Sequence, residues 1–399
     1  MSVRKLLQLN CGANWGSTGK IAEGIGLVAM SRGWESYIAY GREDFLNPSA
    51  SKLIKVGSRI GNIVHYGYHR FFDAEGLGSP FATRKLIKAI ERVQPDIIQL
   101  HNIHDHWLNY PSLFKYLETI DIPIFWTFHD CWAFTGGCPH FVTINCEQWK
   151  TDCGACPMNR GVFNRASKNF KLRSRIAERF CDRLHIVSVS NWMDSLVGQS
   201  IYRNSLHSVI YNGIDISAFS TDGNKNNQCR SILGVSNVWN DAKGLGDFIK
   251  LRDLLPPDIG ITLVGLTEAQ IRSLPEGIKG ITRTQNVAEL ADIYRQATVF
   301  VNPTYNDSFP TVNLEALACG TPVVTYRTGG SPEAVDEKTG IVVEKGGLNA
   351  LVHSINEILN HPEKYNNTNC RKRAEMHFNK DIQFTKYIDL YEEILNQTI

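Results

Sequence analysis

The sequence has no apolar run approaching the roughly 20 residues that a bilayer-spanning helix requires, which excludes a polytopic membrane protein. The opening stretch, Met1 to Asn10, has a short apolar run interrupted by Gln8, and no small-residue cleavage site follows it. It therefore reads as no signal peptide, and the expected location is cytoplasmic. Charge of either sign is in little excess: the formal net charge is +2, which argues against a polyanion-binding protein. Long repeats and low-complexity tracts are missing, and so is a G-x-G-x-x-G turn followed by an acidic residue, which makes a dinucleotide oxidoreductase remote. In a reducing compartment the ten cysteines are expected to be thiols or metal ligands rather than disulfides.

What is present is an alternation of short β-rich runs with helical ones along 399 residues, a length that favours two domains. Leu6–Leu9, Tyr37–Tyr40, Ile97–Leu100, Pro123–Thr127 and Ile186–Val189 are strand candidates in the first half. Ser231–Val235, Ile261–Val264, Val299–Val301, Val323–Thr325 and Ile341–Val343 repeat the rhythm in the second. Continuous apolar runs of this length fit parallel strands buried on both faces. The expected fold is therefore α/β, with two Rossmann-like domains facing each other across a cleft. The join is placed at Tyr211-Asn212-Gly213-Ile214-Asp215, where a turn-forming Asn-Gly comes ahead of the polar stretch Thr221–Gln228 with Gly223, Asn224, Asn226 and Asn227. This gives a first domain over 1–212, with a cysteine-rich insertion at 131–158, and a second over 213–378. Residues 379–399 form a closing helix, with Phe384, Tyr387, Ile388, Leu390, Tyr391 and Ile394 at helical spacing.

The most informative stretch runs from Asn302 to Pro322. It follows a strand, so its polar loop leaves at the carboxyl end, where ligands bind in α/β sheets. Thr311 is positioned to cap a helix that ends at Gly320, and the free N–H groups of that helix offer a site for a phosphate or sugar oxygen. Asp307 on the loop and Glu315 one turn into the helix can face the same cleft. A carboxylate accepts two hydroxyl hydrogen bonds, which suits a ribose diol or a sugar ring.

This run resembles the acidic-x7-acidic motif of the family 4 retaining glycosyltransferases with the GT-B fold. The resemblance implies that Asp307 contacts sugar hydroxyls of a nucleotide-diphosphate sugar and Glu315 holds the nucleotide ribose. The backbone of Ser308, Phe309, Pro310 and Thr311 then lines the donor pocket. The first position is more usually Glu, so Asp307 is a departure. The family also places a basic pair on the donor diphosphate after the first strand of the second domain; Lys243 matches the lysine. The arginine is missing, and Val238 and Ala242 stand where it is expected.

Asn10 to Lys20 is a glycine-rich turn between the first strand and the first helix. It is not a P-loop, because Asn14 replaces the first glycine and Ile21 follows Lys20. Gly16 and Gly19 instead allow close backbone approach to a ligand, and the corresponding loop of the resembled family lies beside donor phosphate and acceptor. The segments Leu100–Trp107 and Thr127–Trp132 also follow strands and carry His101, His104 and His129. Histidine-rich loops invite a metal reading, but the family uses such residues on sugar hydroxyls, and His129 matches its histidine near the reacting carbon. The sequence has no Asp-x-Asp triplet, the device with which the other large glycosyltransferase fold holds a divalent cation, so catalysis is expected to need no metal or other cofactor.

Cys138, Cys146, Cys153 and Cys156 fall close together in a Gly-, Pro- and Trp-rich segment. They are candidate ligands of a structural zinc pinning a loop with little core of its own, with reduced thiols as the alternative. Such an insertion is similar to one in colanic-acid-type transferases of the family. Arg160 to Arg183 is rich in basic residues interleaved with Phe170, Ile176 and Phe180. It is either a basic amphipathic helix touching anionic lipid or a lipid-diphosphate acceptor at the inner face of the membrane, or a solvated face.

Together these readings give a metal-independent, hexosyl-type retaining glycosyltransferase of exopolysaccharide or lipopolysaccharide biosynthesis. Its partners are a nucleotide-sugar donor and a saccharide or lipid-linked saccharide acceptor, with no nucleic acid. The rivals are a nucleotide-sugar epimerase or hydrolase on the same plan, and a non-catalytic carbohydrate- or zinc-binding protein.

Overall fold

A computed structural model describes residues 3–154, 156–158, 161–223 and 230–397. Asn224, Asn226 and Asn227 of the expected connecting segment, and Arg160 of the basic segment, lie outside the described residues. The chain divides into two compact units. One holds Met1–Ile210 with Gln383–Ile399, the other Tyr211–Ile382.

The first unit is built on a seven-stranded parallel sheet in the order β3-β2-β1-β4-β5-β6-β7. Its strands are β1 (Lys5–Asn10), β2 (Glu35–Tyr40), β3 (Lys52–Lys55), β4 (Ile97–Leu100), β5 (Ile124–Phe128), β6 (Leu184–Ser188) and β7 (Leu206–Val209). The second unit has a six-stranded parallel sheet in the order β10-β9-β8-β11-β12-β13. These are β8 (Ser231–Val235), β9 (Gly260–Val264), β10 (Ile278–Ile281), β11 (Val299–Asn302), β12 (Val323–Tyr326) and β13 (Gly340–Val343). Both are doubly wound, and in each the strand order reverses once: between β1 and β4, and between β8 and β11.

Three strands escape the sequence reading, β3, β7 and β10, and all three are sheet edges. An edge strand is covered on fewer sides, so it tolerates Lys52 and Lys55, His207 and Ser208, or Lys279, and loses the continuous apolar run that marks a central strand. The central strands Ile97–Leu100, Ile124–Phe128, Val299–Asn302 and Val323–Tyr326 are buried throughout.

One segment departs from expectation, and a second takes the solvated-face alternative. The cysteine-rich stretch does have its own core: Phe134, Phe141 and Trp149 are buried and pack with ring centroids 5.0–6.3 Å apart. Arg173 reaches into it, buried, with its guanidinium 4.0 Å from the Trp132 ring centroid and donating to the Thr135 carbonyl at 2.7 Å. The basic helix Ala166–Phe180 turns Phe170, Ile176 and Phe180 inward, so its apolar side is consumed by the unit's core and its outward side is basic and polar.

The last helix, Lys380–Gln397, packs Phe384, Tyr387, Ile388 and Tyr391 with Leu6, Ile21, Ile25 and Phe125. Gly24 makes the fit: a Cβ there would lie 2.1 Å from the Phe384 ring. The Tyr391 hydroxyl donates to the buried Gln99 Oε1 at 2.6 Å, satisfying a polar group in the middle of β4. Phe384→Ala is expected to destabilise the first unit by about 3–5 kcal/mol. Hydrogen exchange checks this: protection should drop in β1 and β5 and hold in β8 and β11.

Candidate functional site

In the second unit the loops after β8 and β11 stand at the strand-order reversal. The loop after β8 ends in a short turn, Asp241–Lys243, closed by the Asn240 side chain, which accepts from the Lys243 N–H at 3.1 Å. Gly244 follows with φ +77°, and a Cβ there would sit 2.3 Å from the Pro303 carbonyl oxygen, so only glycine lets the two loops touch. The Ala242 carbonyl accepts from the Tyr305 N–H at 2.8 Å, locking one loop on the other. As a result Lys243 Nζ lies 2.7 Å from Asp307 Oδ2 and donates to the Asn306 carbonyl at 3.2 Å. Asp307 and Lys243, read from separate motifs, are thus brought into one ion pair.

The helix after this loop is Thr311–Ala318, and its N-cap is Pro310 rather than Thr311. Thr311 is the first helical residue. Proline carries no side-chain acceptor; the Asn313 N–H donates to the Pro310 carbonyl at 3.2 Å, and the Thr311 and Val312 N–H groups are left for solvent or a ligand. Phe309 is buried, and its carbonyl accepts from Asn212 Nδ2 at 3.0 Å, while Ser308 is partly exposed and its carbonyl accepts from the Gly330 N–H at 3.0 Å. Glu315, one turn in, accepts from the Tyr294 hydroxyl at 3.0 Å. Cys319 and Gly320 end the helix, Gly320 with φ +76°.

Sequence reasoning missed three supports of this site. Tyr294 is fully buried, and its hydroxyl aims the Glu315 carboxylate. Gly329, at φ +55°, lies so close that a Cβ would meet the Asp307 carbonyl oxygen at 1.7 Å. Beneath them a buried polar chain links Asn302 to Asn313 at 2.8 Å, Asn313 to Ser331 at 2.9 Å and Ser331 to Thr325 at 2.6 Å. A Gly-Gly pair three residues past a strand end was the available signal for the Gly329 support; Tyr294 had none, since its partner is 21 residues away.

In the first unit the loops after β1, β4 and β5 come together. Gly16 has φ +64° with open space around it, so backbone conformation rather than crowding requires glycine there. Gly19 packs on the Asn14 backbone, where a Cβ would come within 3.2 Å. His101 is buried and bridges two groups: Nε2 lies 3.1 Å from Gln8 Oε1, and Nδ1 lies 3.1 Å from His129 Nε2. Gln8 Nε2 donates to the Ala22 carbonyl at 2.7 Å, which leaves Gln8 Oε1 to accept. That assignment fixes the tautomers along the line: His101 carries its proton on Nε2, His129 donates from Nε2, and His129 Nδ1 keeps a lone pair. Burial lowers both imidazoles, His129 to about 4, so the pair is neutral at pH 7.

His104 is the opposite case. Its Nε2 lies 2.8 Å from Asp130 Oδ2, with Glu75 3.8 Å from Nδ1. Burial opposes the charged form, but the Asp130 carboxylate outweighs it and lifts His104 to about 9. Asp130 is held down at about 2: burial raises it, and the His104 cation and the Trp132 N–H more than reverse that. Asp105 and His106, at φ +74° and +67°, carry the left-handed backbone that lets this loop turn back, and Arg42 pairs with Asp105 at 3.0 Å. Adjacent left-handed residues that are not glycine are strained, and such strain concentrates at functional loops.

The four clustered cysteines, Cys138, Cys146, Cys153 and Cys156, line one small pocket beside Trp149 and Phe141. The Gly136 N–H donates to Cys153 Sγ at 3.1 Å, and burial pushes that thiol up to about 12. Among the described residues no group of three His, Cys, Asp or Glu side chains is placed to hold a metal ion.

Residues 27–218 match the family described as Glycosyltransferase Family 4, and residues 229–361 match that described as Glycosyl transferases group 1. The chain is 23% identical over 367 residues to the putative colanic acid biosynthesis glycosyl transferase WcaC of Escherichia coli, spanning 87% of this chain and 89% of that protein. Its fold resembles sucrose-phosphate synthase from Thermosynechococcus elongatus, with a TM-score of 0.71 at 16% identity over 99% of this chain and 100% of that one. It also resembles Anabaena HepE in complex with UDP, with a TM-score of 0.67 at 15% identity over 98% of this chain and 100% of that one.

The two kinds of histidine predict the pH dependence of stability. Between about 4 and 6.5 the unfolded chain takes up a proton at His129 that the folded chain refuses, so stability rises with pH. Between 6.5 and about 9 folded His104 keeps a proton that the unfolded chain has released, so stability falls. The thermal midpoint should therefore peak near pH 6.5, and Asp130→Asn should flatten the alkaline limb. A midpoint that climbs from pH 6.5 to 9 in the wild type contradicts the His104–Asp130 charge assignment.

Proposed function

We propose, from the premise that this chain belongs to the family 4 glycosyltransferases with the GT-B fold, that it transfers a hexose with retained anomeric configuration. The donor is a nucleotide-diphosphate sugar and the acceptor a saccharide or lipid-linked saccharide of surface polysaccharide biosynthesis. The observation that carries the reading is the Lys243–Asp307 pair at the strand-order reversal of the second unit, beside a helix N-terminus whose cap has no side-chain acceptor. One relative with long coverage is named for colanic acid biosynthesis, and HepE is a fold neighbour solved with UDP; both support the donor and pathway class.

In this reading Glu315, aimed by Tyr294, accepts the two ribose hydroxyls. The first-turn N–H groups and Lys243 receive the diphosphate. Lys243 then exchanges its carboxylate partner for phosphate oxygens, which releases Asp307 to accept from hydroxyls of the donor sugar. As the bond to the sugar breaks, negative charge grows on the diphosphate, and the lysine and amides stabilise it where it forms. With the partner arginine missing, Lys243 bears more of this load than a basic pair does.

The acceptor is assigned to the first unit, where Gly16 leaves open space, Gly19 being occupied by the Asn14 backbone, and His129 presents the Nδ1 lone pair to a sugar hydroxyl. His104 and Asp130, a fixed ion pair, orient the neighbouring loop. The leaving phosphate takes the acceptor proton, so no side-chain nucleophile and no divalent cation is required. The protein works in the cytoplasm, at the inner face of the membrane when the acceptor is lipid-linked. Zinc at the four cysteines is a structural proposal separate from catalysis, resting on four thiols that share one pocket. Metal analysis decides it: about one zinc per chain that is lost in Cys153→Ser supports it, and four titratable thiols without zinc give the thiol alternative.

A thermal-shift panel of UDP-, GDP- and ADP-sugars identifies the donor base, and transfer should be unchanged by added magnesium or manganese. Glu315→Ala and Lys243→Ala should each weaken donor binding by about tenfold or more, a loss of about 1.4 kcal/mol. Calorimetry on the folded variants checks this, and wild-type affinity in Glu315→Ala overturns the ribose assignment.

A further inference from the structure

The helix Arg59–Phe72 is turned inside out. Asn62, His65, His69 and the following Asp73 fall on one stripe at helical spacing, and all four are buried. They are held by polar bonds: Asn62 Nδ2 donates to the Gly41 carbonyl at 2.8 Å, and His65 Nδ1 lies 2.9 Å from Ser79 Oγ. Asp73 Oδ2 accepts from the Arg165 N–H at 3.1 Å. The opposite stripe is apolar and faces solvent: Ile60 is 77% exposed, Ile63 62%, Val64 66% and Phe71 50%. Val162 and Phe163 extend the surface, running alongside through backbone bonds to the Arg70 and Phe71 carbonyls, with Phe163 ring contacts to Phe71 and Phe72 at 5.5 and 5.9 Å. A helix fixed by hydrogen bonds on its polar side, with aliphatic and aromatic side chains outward, leaves unburied the apolar surface that stabilises most helices.

The charge around this face selects its occupant. Between residues 59 and 88 the exposed charged side chains among the described residues are Arg59, Arg70, Arg84, Lys85 and Lys88, all basic. Arg84 lies over the ring of Phe81, itself 80% exposed at the start of the next helix, whose cap Ser79 is bonded to His65. A second copy of this chain meeting the face symmetrically would set these cations against their own kind. An anionic bilayer pairs the cations with lipid phosphates and takes the apolar stripe into its headgroup and acyl boundary. No described helix is long and apolar enough to cross the membrane, which fits a surface-lying contact.

We infer that the Ile60-Ile63-Val64-Phe71 face, with Arg59 and Arg70 on the same helix and Arg84 over Phe81 at the start of the next, docks the protein on an anionic lipid bilayer. This replaces the basic helix Ala166–Phe180, whose apolar side is already buried, as the membrane-facing element. The inference is independent of which sugar is transferred, and a solution-phase donor measurement separates the two.

Vesicle flotation of the full chain tests it. The wild type should float with vesicles containing about 30% phosphatidylglycerol in phosphatidylethanolamine, and not with phosphatidylcholine alone. The triple variant Ile60→Ser, Ile63→Ser, Val64→Ser should lower the bound fraction by about tenfold or more, while a Val238→Ser control on the second unit floats as the wild type does. All three replaced side chains are exposed, so folding and donor affinity should be retained. Wild-type protein that stays with buffer, or a triple variant that floats unchanged, overturns the proposal. A wild-type dimer that the triple variant converts to monomer gives the face to a second copy instead.

Discussion

A parallel sheet covered by helices on both faces leaves polar side chains few places to emerge. Along the interior strands most side chains meet apolar neighbours, so a polar group there is costly unless bonded, and Gln8 and Gln99 are held by hydrogen bonds. Polar chemistry is therefore pushed to the carboxyl ends of the strands, and chiefly to the point where the strand order reverses and adjacent loops diverge. Lys243 and Asp307 in one unit, and His101, His104 and His129 in the other, occupy those ends. The chemistry follows from where the fold lets charge reach the surface.

That constraint is why so much was legible. The central strands carry their burial in their composition, so the two βα series and the loops after them could be placed directly. Asp307, Glu315 and Lys243 were singled out because they follow strand ends and match the acidic-x7-acidic and basic motifs of the resembled family. What was hidden depends on partners distant in sequence. The hydroxyl that aims Glu315 comes from another helix, and the crowding that requires glycine at 329 comes from the Asp307 carbonyl. The edge strands lost their signature because their exposed sides accept lysine and histidine. The cysteine-rich stretch looked coreless because its aromatic residues find one another only in three dimensions, around an arginine that the sequence presents as one more surface cation.

The two basic helices show how far periodicity alone can mislead. Ala166–Phe180 has the apolar spacing of a lipid-binding helix, yet that spacing serves the core. Arg59–Phe72 has comparable spacing and uses it the other way, because Gly41, Ser79 and the Arg165 backbone supply hydrogen-bond partners for its polar stripe. A hydrophobic pattern states that two sides differ; the available polar partners decide which side turns inward.

The return of the final helix makes the second unit an insertion within the first, since the chain leaves at Tyr211 and comes back at Gln383. The two ends of that insert lie side by side: the Ile214 N–H bonds the Phe378 carbonyl at 2.8 Å and the Lys380 N–H bonds the Ile214 carbonyl at 2.9 Å. Such a unit has the topology of a cassette. Cut at those two neighbouring points, it can be lifted out whole or exchanged for another of its kind, whereas a simple C-terminal truncation strips the first unit of the aromatic helix that fills its core.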